Sequence, residues 1–162
     1  MTKTHTHTIT WEEAHYPPEW MQLPGLERLQ KALAAGIPRA PIAALIDMKL
    51  VSVEAGIAYF DAWPGPQHIN PIGIVHGGFV ATLMDAACWT AGQTTMGPAE
   101  VPTTLELKVS YIRAITATSP EVKCEARVLH RGGRTVLTEA KVFDKDAKLL
   151  AHATSTLLVL KP

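Results

Sequence analysis

Residues 69–93 read INPIGIVHGGFVATLMDAACWTAGQ, and this stretch decides the fold. Phe79, Val80, Leu83, Met84, Ala86, Ala87 and Trp89 make the segment apolar at nearly every helical position, so the pattern predicts a helix over about 77–95. A helix that is apolar almost all round has to be surrounded by other structure. Its one charge, Asp85, falls where a core would take Leu or Ala. A carboxylate buried without partners is costly, so this position demands an explanation. The helix opens on His76-Gly77-Gly78. A helix N-terminus carries unpaired N–H groups and a partial positive charge, and glycine lets another group approach that backbone closely. The same triplet also suits a tightly packed helix entry.

The two features lie far apart on one helix. Asp85 is nine residues past His76, which is ~13.5 Å along the axis and ~900° around it, the opposite face. They cannot attend one atom within a single chain. Two such helices lying antiparallel across a two-fold axis would bring Asp85 of one chain to Gly77 of the other, twice. The alternative within one chain is an Asp that is partly exposed or bonded to a nearby hydroxyl such as Thr82 or Thr90. Asn70 sits in the turn ahead of the helix, where Asn is common for local reasons. Its side chain is also placed to steer His76 or a bound carbonyl.

Outward from this helix the pattern changes. On the N-terminal side, LIDMKLVSV and GIAYFDA read as two strands joined at Glu54-Ala55-Gly56. Before them, GLERLQKALAAG predicts a short amphipathic helix with Leu26, Leu29 and Leu33 on one face, stopped by Gly36 and Pro38. Residues 1–24 read as an extension broken by Pro17, Pro18 and Pro24. It is expected to cap a pocket or to mediate assembly. On the C-terminal side, four strands follow: TTLELKVSYIR, EVKCEARVLH, TVLTEAKVF and LLAHATSTLLVL. In the first, Leu105, Leu107, Val109 and Tyr111 alternate with Glu106, Lys108 and Ser110; in the second, Val122, Cys124, Ala126 and Val128 share a face. The expected architecture is α+β, an antiparallel sheet wrapped around one long helix, forming a single domain over 25–162.

Composition narrows the function. The chain has 162 residues, 47% of them hydrophobic, which is enough for a core without disulfides or metal. Lys plus Arg and Asp plus Glu both number 15, so there is no basic excess for nucleic acid. Cys88 and Cys124 lack metal or redox spacing and are expected as buried, reduced thiols. His5 and His7 have no third ligand in view, so no metal site is expected. The first residues, MTKTHTHTITWEEAHYPPEW, are polar, so no leader segment is expected, and the run from Gly77 to Gly92 is short for a membrane span and contains Asp85. A cytoplasmic protein that spans no membrane is expected.

Asn70, Gly73, His76-Gly77-Gly78 and Asp85 occur in the order and at the spacings of the hotdog-fold acyl-CoA thioesterases. The chain resembles in particular their PaaI-like, phenylacetate-degradation group. TTLELKVSYIRA and DAKLLAHATSTLLV resemble that group's later strands, so the likeness covers about residues 40–160. The resemblance implies a hotdog fold assembled as a homodimer or homotetramer, hydrolysing acyl-CoA to free acid and coenzyme A with no further cofactor. It implies that the Gly77 N–H polarises the thioester carbonyl while His76 and Asn70 orient that region. Asp85 of the partner chain acts on water or attacks directly. A hydroxyl early in the following strand helps place the water, and alignment on LELKVSY puts it at Thr104, with Thr103 as its neighbour. Substrate contacts are expected at Gly78 and, for the coenzyme A phosphates, at Arg113, Arg131 and Arg134. An acyl pocket is expected along the helix near Met84, Cys88 and Trp89.

Two rival readings share the fold. A hotdog dehydratase would want an acid where Asn70 stands. A non-catalytic acyl-CoA binding or sensing protein would keep the pocket without the base, whereas Asp85 is present.

Overall fold

Hydrophobic residues spaced by two before and after one apolar helix leave a single economical packing: the strands curl and the helix fills the curl. The computed structural model describes residues 3–13, 15–37, 40–116 and 118–161, and it has this form. Two short helices, α1 (Gly25–Ala34) and α2 (Pro41–Leu45), precede the hairpin of β1 (Met48–Glu54) and β2 (Ile57–Ala62). A loop then leads into α3 (Gly77–Gln93), and β3 (Val101–Tyr111), β4 (Val122–Arg131), β5 (Thr135–Phe143) and β6 (Leu149–Leu160) complete the chain. The sheet order is β1-β2-β4-β5-β6-β3, antiparallel throughout. The strand that follows α3 is therefore an edge strand, running alongside β6 from Val101 opposite Leu160 to Tyr111 opposite Ala151.

The inner face of the sheet is built from small side chains. Ala58, Ala62, Cys124, Ala126, Ala140, Ala151 and Ala153 are all buried there. Small residues let α3 lie close, and its Phe79, Val80, Leu83, Met84, Ala87, Cys88 and Ala91 fill the space. Leu83 and Met84 are completely buried. Each such side chain contributes ~1.5–3 kcal/mol by leaving water.

One chain does not enclose α3 completely. Ala81, Thr82, Asp85, Ala86 and Trp89 stay partly exposed. Their spacing of three and four makes a single stripe down the helix. Asp85 therefore does not interrupt the core; it lies on the face that its own sheet leaves open.

Three expectations need correcting. The alternation in β3 breaks at a bulge between Thr104 and Glu106. The extra residue, Leu105, is 58% exposed, and Tyr111 at the strand's end is 55% exposed, so neither joins Leu107 and Val109 against the core. Leu33 also faces water although it shares a helical stripe with buried Leu29, because α1 lies at the margin of the core. Met84 and Cys88 point into the sheet rather than onto the open stripe, so of the three helix residues expected to line a pocket only Trp89 is accessible.

The segment ahead of α1 is tied down. Residues Pro18–Gln22 form a 3-10 turn, and the Ala99 N–H donates to the Met21 carbonyl at 2.7 Å. The buried Arg28 guanidinium donates to the carbonyls of Met21 and Leu23 at 3.3 and 3.1 Å. No helix among the described residues is long and apolar enough to cross a membrane.

Candidate active site

The start of α3 is shaped by its own sequence. His76 is the N-cap, and its Nδ1 accepts from the Gly78 N–H at 2.9 Å. That nitrogen therefore carries no proton in this geometry. A Cβ at residue 78 would come within 2.9 Å of it, so glycine is what allows the cap. The Phe79 N–H turns back to the His76 carbonyl at 3.0 Å. The remaining first-turn donor, the N–H of Gly77, has no acceptor among the described residues. The cap thus spends one donor and leaves its neighbour free.

Asn70 holds the approach to this donor. Its Oδ1 accepts from the N–H groups of Ile72 and Ile74 at 3.0 and 3.3 Å, and its own N–H donates to the Ile74 carbonyl at 2.8 Å. Gly73, with φ +87°, closes the turn. The Asn70 oxygen is thus occupied in shaping the loop, and Asn70 lines a cavity of about 350 Å3. Gly77, Tyr111 and Arg113 line the same cavity.

Tyr111 belongs to this end of the site and was not anticipated. Its hydroxyl donates to the Gly77 carbonyl at 3.0 Å, and its ring would lie 3.0 Å from a Cβ at that position. The strand pattern put Tyr111 on the inward face, and no local signal marked it as a partner of the helix start.

The second polar centre lies two turns further along α3. The Thr104 hydroxyl donates to Asp85 Oδ1 at 2.9 Å. The hydroxyl beside the carboxylate is thus Thr104 rather than Thr103, and neither Thr82 nor Thr90 is the partner that makes this bond. Thr82 instead donates to the Gly78 carbonyl at 2.9 Å, within its own helix. One carboxylate oxygen is oriented by Thr104, and the other has no hydrogen-bond partner among the described residues. Trp89, one turn on, donates from its indole N–H to the Pro102 carbonyl at 2.7 Å.

The structure therefore makes two polar clusters. Gly77, Gly78, His76, Asn70, Tyr111 and Arg113 gather at the helix start and the far end of β3. Asp85, Thr104 and Trp89 gather at the near end of β3. The basic residues divide in the same way. Arg131 and Arg134 flank the β4–β5 turn beside Val101–Thr104, since Thr135 and Thr103 both pair with Leu158. Arg131 is held by Glu100 Oε2 at 3.0 Å and by the Gly132 carbonyl. Arg113 and Arg134 make no ion pair among the described residues.

The cysteines take no part. Both are free and buried. Burial pushes the Cys88 thiol up to about 11, against which a hydrogen bond with Thr138 works, and burial raises Cys124 as well. A thiol so shifted is not a nucleophile near neutral pH. Among the described residues, no three His, Cys, Asp or Glu side chains converge in a way that could hold a metal ion.

A family model described as the thioesterase superfamily matches residues 72–151, from the turn before α3 into β6. With its six-stranded antiparallel sheet wrapped on α3, the chain belongs to this superfamily and has its hotdog fold. Among curated relatives, it is 28% identical over 116 residues to a 1,4-dihydroxy-2-naphthoyl-CoA hydrolase of Listeria monocytogenes, covering 72% of this chain and 93% of that one. Among solved structures, a conserved protein from Pseudomonas aeruginosa is 35% identical with a TM-score of 0.70, covering 75% of this chain and 95% of that one. A phenylacetic acid degradation-related protein from Ralstonia eutropha superposes with a TM-score of 0.72 at 24% identity, over 80% and 97% of the two chains.

Proposed function

We propose that this protein is a cytoplasmic acyl-CoA thioesterase of the PaaI-like group, active as a homodimer or a dimer of dimers, with each site shared between two chains. The observation that carries this reading is the split of the site: an oriented carboxylate and an unspent helix-start N–H lie on one chain but eight residues apart. Eight residues are ~12 Å along the helix. The open stripe of α3 and the free edge of β3 both border Asp85, and both are suited to a second copy. A two-fold operator that lays the helices antiparallel puts Asp85 of one chain opposite Gly77 of the other.

The chemistry follows from the parts. The thioester carbonyl oxygen accepts from the Gly77 N–H, which strengthens as negative charge develops. Asp85, steered by Thr104, takes a proton from water as the water oxygen bonds to the carbonyl carbon. The tetrahedral oxyanion collapses, the C–S bond breaks, and coenzyme A leaves as the thiol, taking up the proton that Asp85 holds. His76 and Asn70 fix the backbone that presents the donor. Gly78 gives the acyl-thioester close approach. Arg113 and Arg134 offer unpaired charge to the phosphates, while Arg131 must first release Glu100. Direct attack by Asp85 would instead give a mixed anhydride, and an unlabelled first product from single turnover in labelled water would establish that route, with the label left in Asp85. The mechanism calls on no cofactor beyond the coenzyme A of the substrate. The relative in Listeria monocytogenes, named as a hydrolase of a CoA thioester, supports this substrate class.

The test is thiol release from a panel of aryl and aliphatic acyl-CoA thioesters. Asp85→Asn and Gly77→Pro proteins are each assayed alone, then mixed after reversible dissociation. Each alone is expected to be nearly inactive. Random re-pairing makes half the dimers mixed, each with one intact site, so about a quarter of wild-type activity returns. If both variants are inactive and mixing restores nothing, the shared site is wrong. If wild type binds acyl-CoA without turnover, the protein is a binding module.

A further inference from the structure

The open stripe of α3 carries one large side chain. Ala81, Thr82 and Ala86 are small, and Trp89 stands alone among them. It lies four residues beyond Asp85, one helical turn on and only ~40° around. Both side chains are pinned to the same short piece of β3, Trp89 by the Pro102 carbonyl and Asp85 by the Thr104 hydroxyl. The indole N–H is spent in that bond, so the ring's orientation is fixed and its partly exposed remainder offers only carbon. Beyond Trp89 the stripe stops. The residue on the next turn, Gln93, is 2% exposed, and Gly25 lies against it so closely that a Cβ there would fall 1.8 Å from the Gln93 carbonyl oxygen. The Gly25 N–H is itself held by the Met96 carbonyl at 2.9 Å, which fastens the end of the N-terminal segment over the close of the helix. The open stripe that passes Asp85 therefore carries Trp89 one turn on and ends at the buried Gln93.

We propose that Trp89 is a specificity-determining residue of this protein: it walls the acyl site beside Asp85 and limits the chain to compact acyl groups, excluding long straight chains. The proposal rests on the thioesterase reading above. Trp89 contacts the acyl group and takes no part in proton transfer, so its effect belongs in KM and in the dependence on chain length.

The experiment compares wild type, Trp89→Phe and Trp89→Ala on straight-chain acyl-CoA thioesters from acetyl to palmitoyl. Folding is checked by near-UV circular dichroism and size exclusion. Trp89→Ala is expected to raise the ratio of long-chain to short-chain kcat/KM at least tenfold, mainly through KM, with Trp89→Phe in between. If the alanine variant does not fold, the phenylalanine variant carries the test. An unchanged chain-length profile in a folded variant overturns the proposal. Titration of the Asp85→Asn protein separates this from a failure of the activity. Short acyl-CoA is expected to change Trp89 fluorescence and long acyl-CoA is not, whether or not wild type turns over. Equal responses to both, or a response that survives in Asp85→Asn/Trp89→Phe, would refute the wall. Absence of turnover with a Trp89 response intact would refute only the thioesterase.

Discussion

The two ends of α3 solve different problems with the same physics. At its start the polar groups are backbone, and the sequence works by removing side chains: Gly77 and Gly78 clear space, His76 caps one donor, and Tyr111 and Asn70 fasten the surroundings. Two turns later the polar group is a side chain, and the sequence works by adding a partner, Thr104, on an edge strand. The cap at the first end is set by local sequence within a few residues, with Tyr111 reaching it from the far end of β3. The second depends on a strand nineteen residues away in the chain. On the proposed reading each end supplies one half of an acyl-transfer site, and neither supplies both.

The largest effect should come from breaking the first end without unfolding it. Proline is tolerated at the first helical position, where its missing N–H has no helical partner. His76, with φ −62° and ψ 137°, already has the conformation that a following proline demands. Gly77→Pro therefore deletes the donor while keeping the helix, although Tyr111 must shift to admit the ring. A fall in kcat of about 10²–10³ is expected. Unchanged kcat in a folded variant would mean that the Gly77 N–H is not where charge develops.

Loss at the second end should be smaller when the base itself is kept. Thr104→Val removes the hydroxyl and preserves the branched shape that suits a strand. Asp85 then keeps its charge but loses the bond that aims it. A drop of about tenfold in kcat is expected, from the loss of one hydrogen bond to a charged group. Thr104→Ser should restore most of it, which a packing role for the methyl group would not do. Thr103→Val, one residue away, should leave kcat near wild type.

How much of this contrast was legible beforehand follows from the same difference in range. The helix, its capped start and the odd position of Asp85 follow from residues close together in sequence. The strands follow from alternation, and the wrapped architecture from a helix with too few polar residues. The resemblance places the hydroxyl at Thr104, but strand alternation alone does not separate it from Thr103, because that depends on which residue the β3 bulge leaves unpaired, and the bulge falls at Leu105. Tyr111 was misread for a related reason. It ends an edge strand, where alternation no longer separates core from solvent. The open stripe on α3 could be inferred only from Asp85, since Ala81, Ala86 and Trp89 are ordinary core residues in composition.

The smallest expected effect concerns the charge around the two ends, where the contrast recurs. Arg113, which lines the cavity with Gly77, has no ion pair among the described residues, whereas Arg131, at the Thr104 end, shares Glu100 with Lys161, each at 3.0 Å. The Gly97 N–H, then Lys161 and Arg131, hold the Glu100 carboxyl below its ordinary value. A carboxylate whose folded value is depressed stabilises the fold in full above its unfolded value of about 4.3, and that contribution disappears as pH falls through the lower folded value. Solvent screening keeps the contribution under about 1 kcal/mol. Denaturant unfolding of wild type and Glu100→Gln should therefore differ slightly at pH 7 and converge below the ordinary carboxylate range. A gap that persists once the carboxyl is protonated in the folded state as well would assign the effect of Glu100 to packing instead. The substitution also frees Arg131. If KM for acyl-CoA falls in Glu100→Gln while kcat holds, the paired arginine becomes a phosphate ligand once released. If KM is unchanged, phosphate recognition rests with the arginines that are already free.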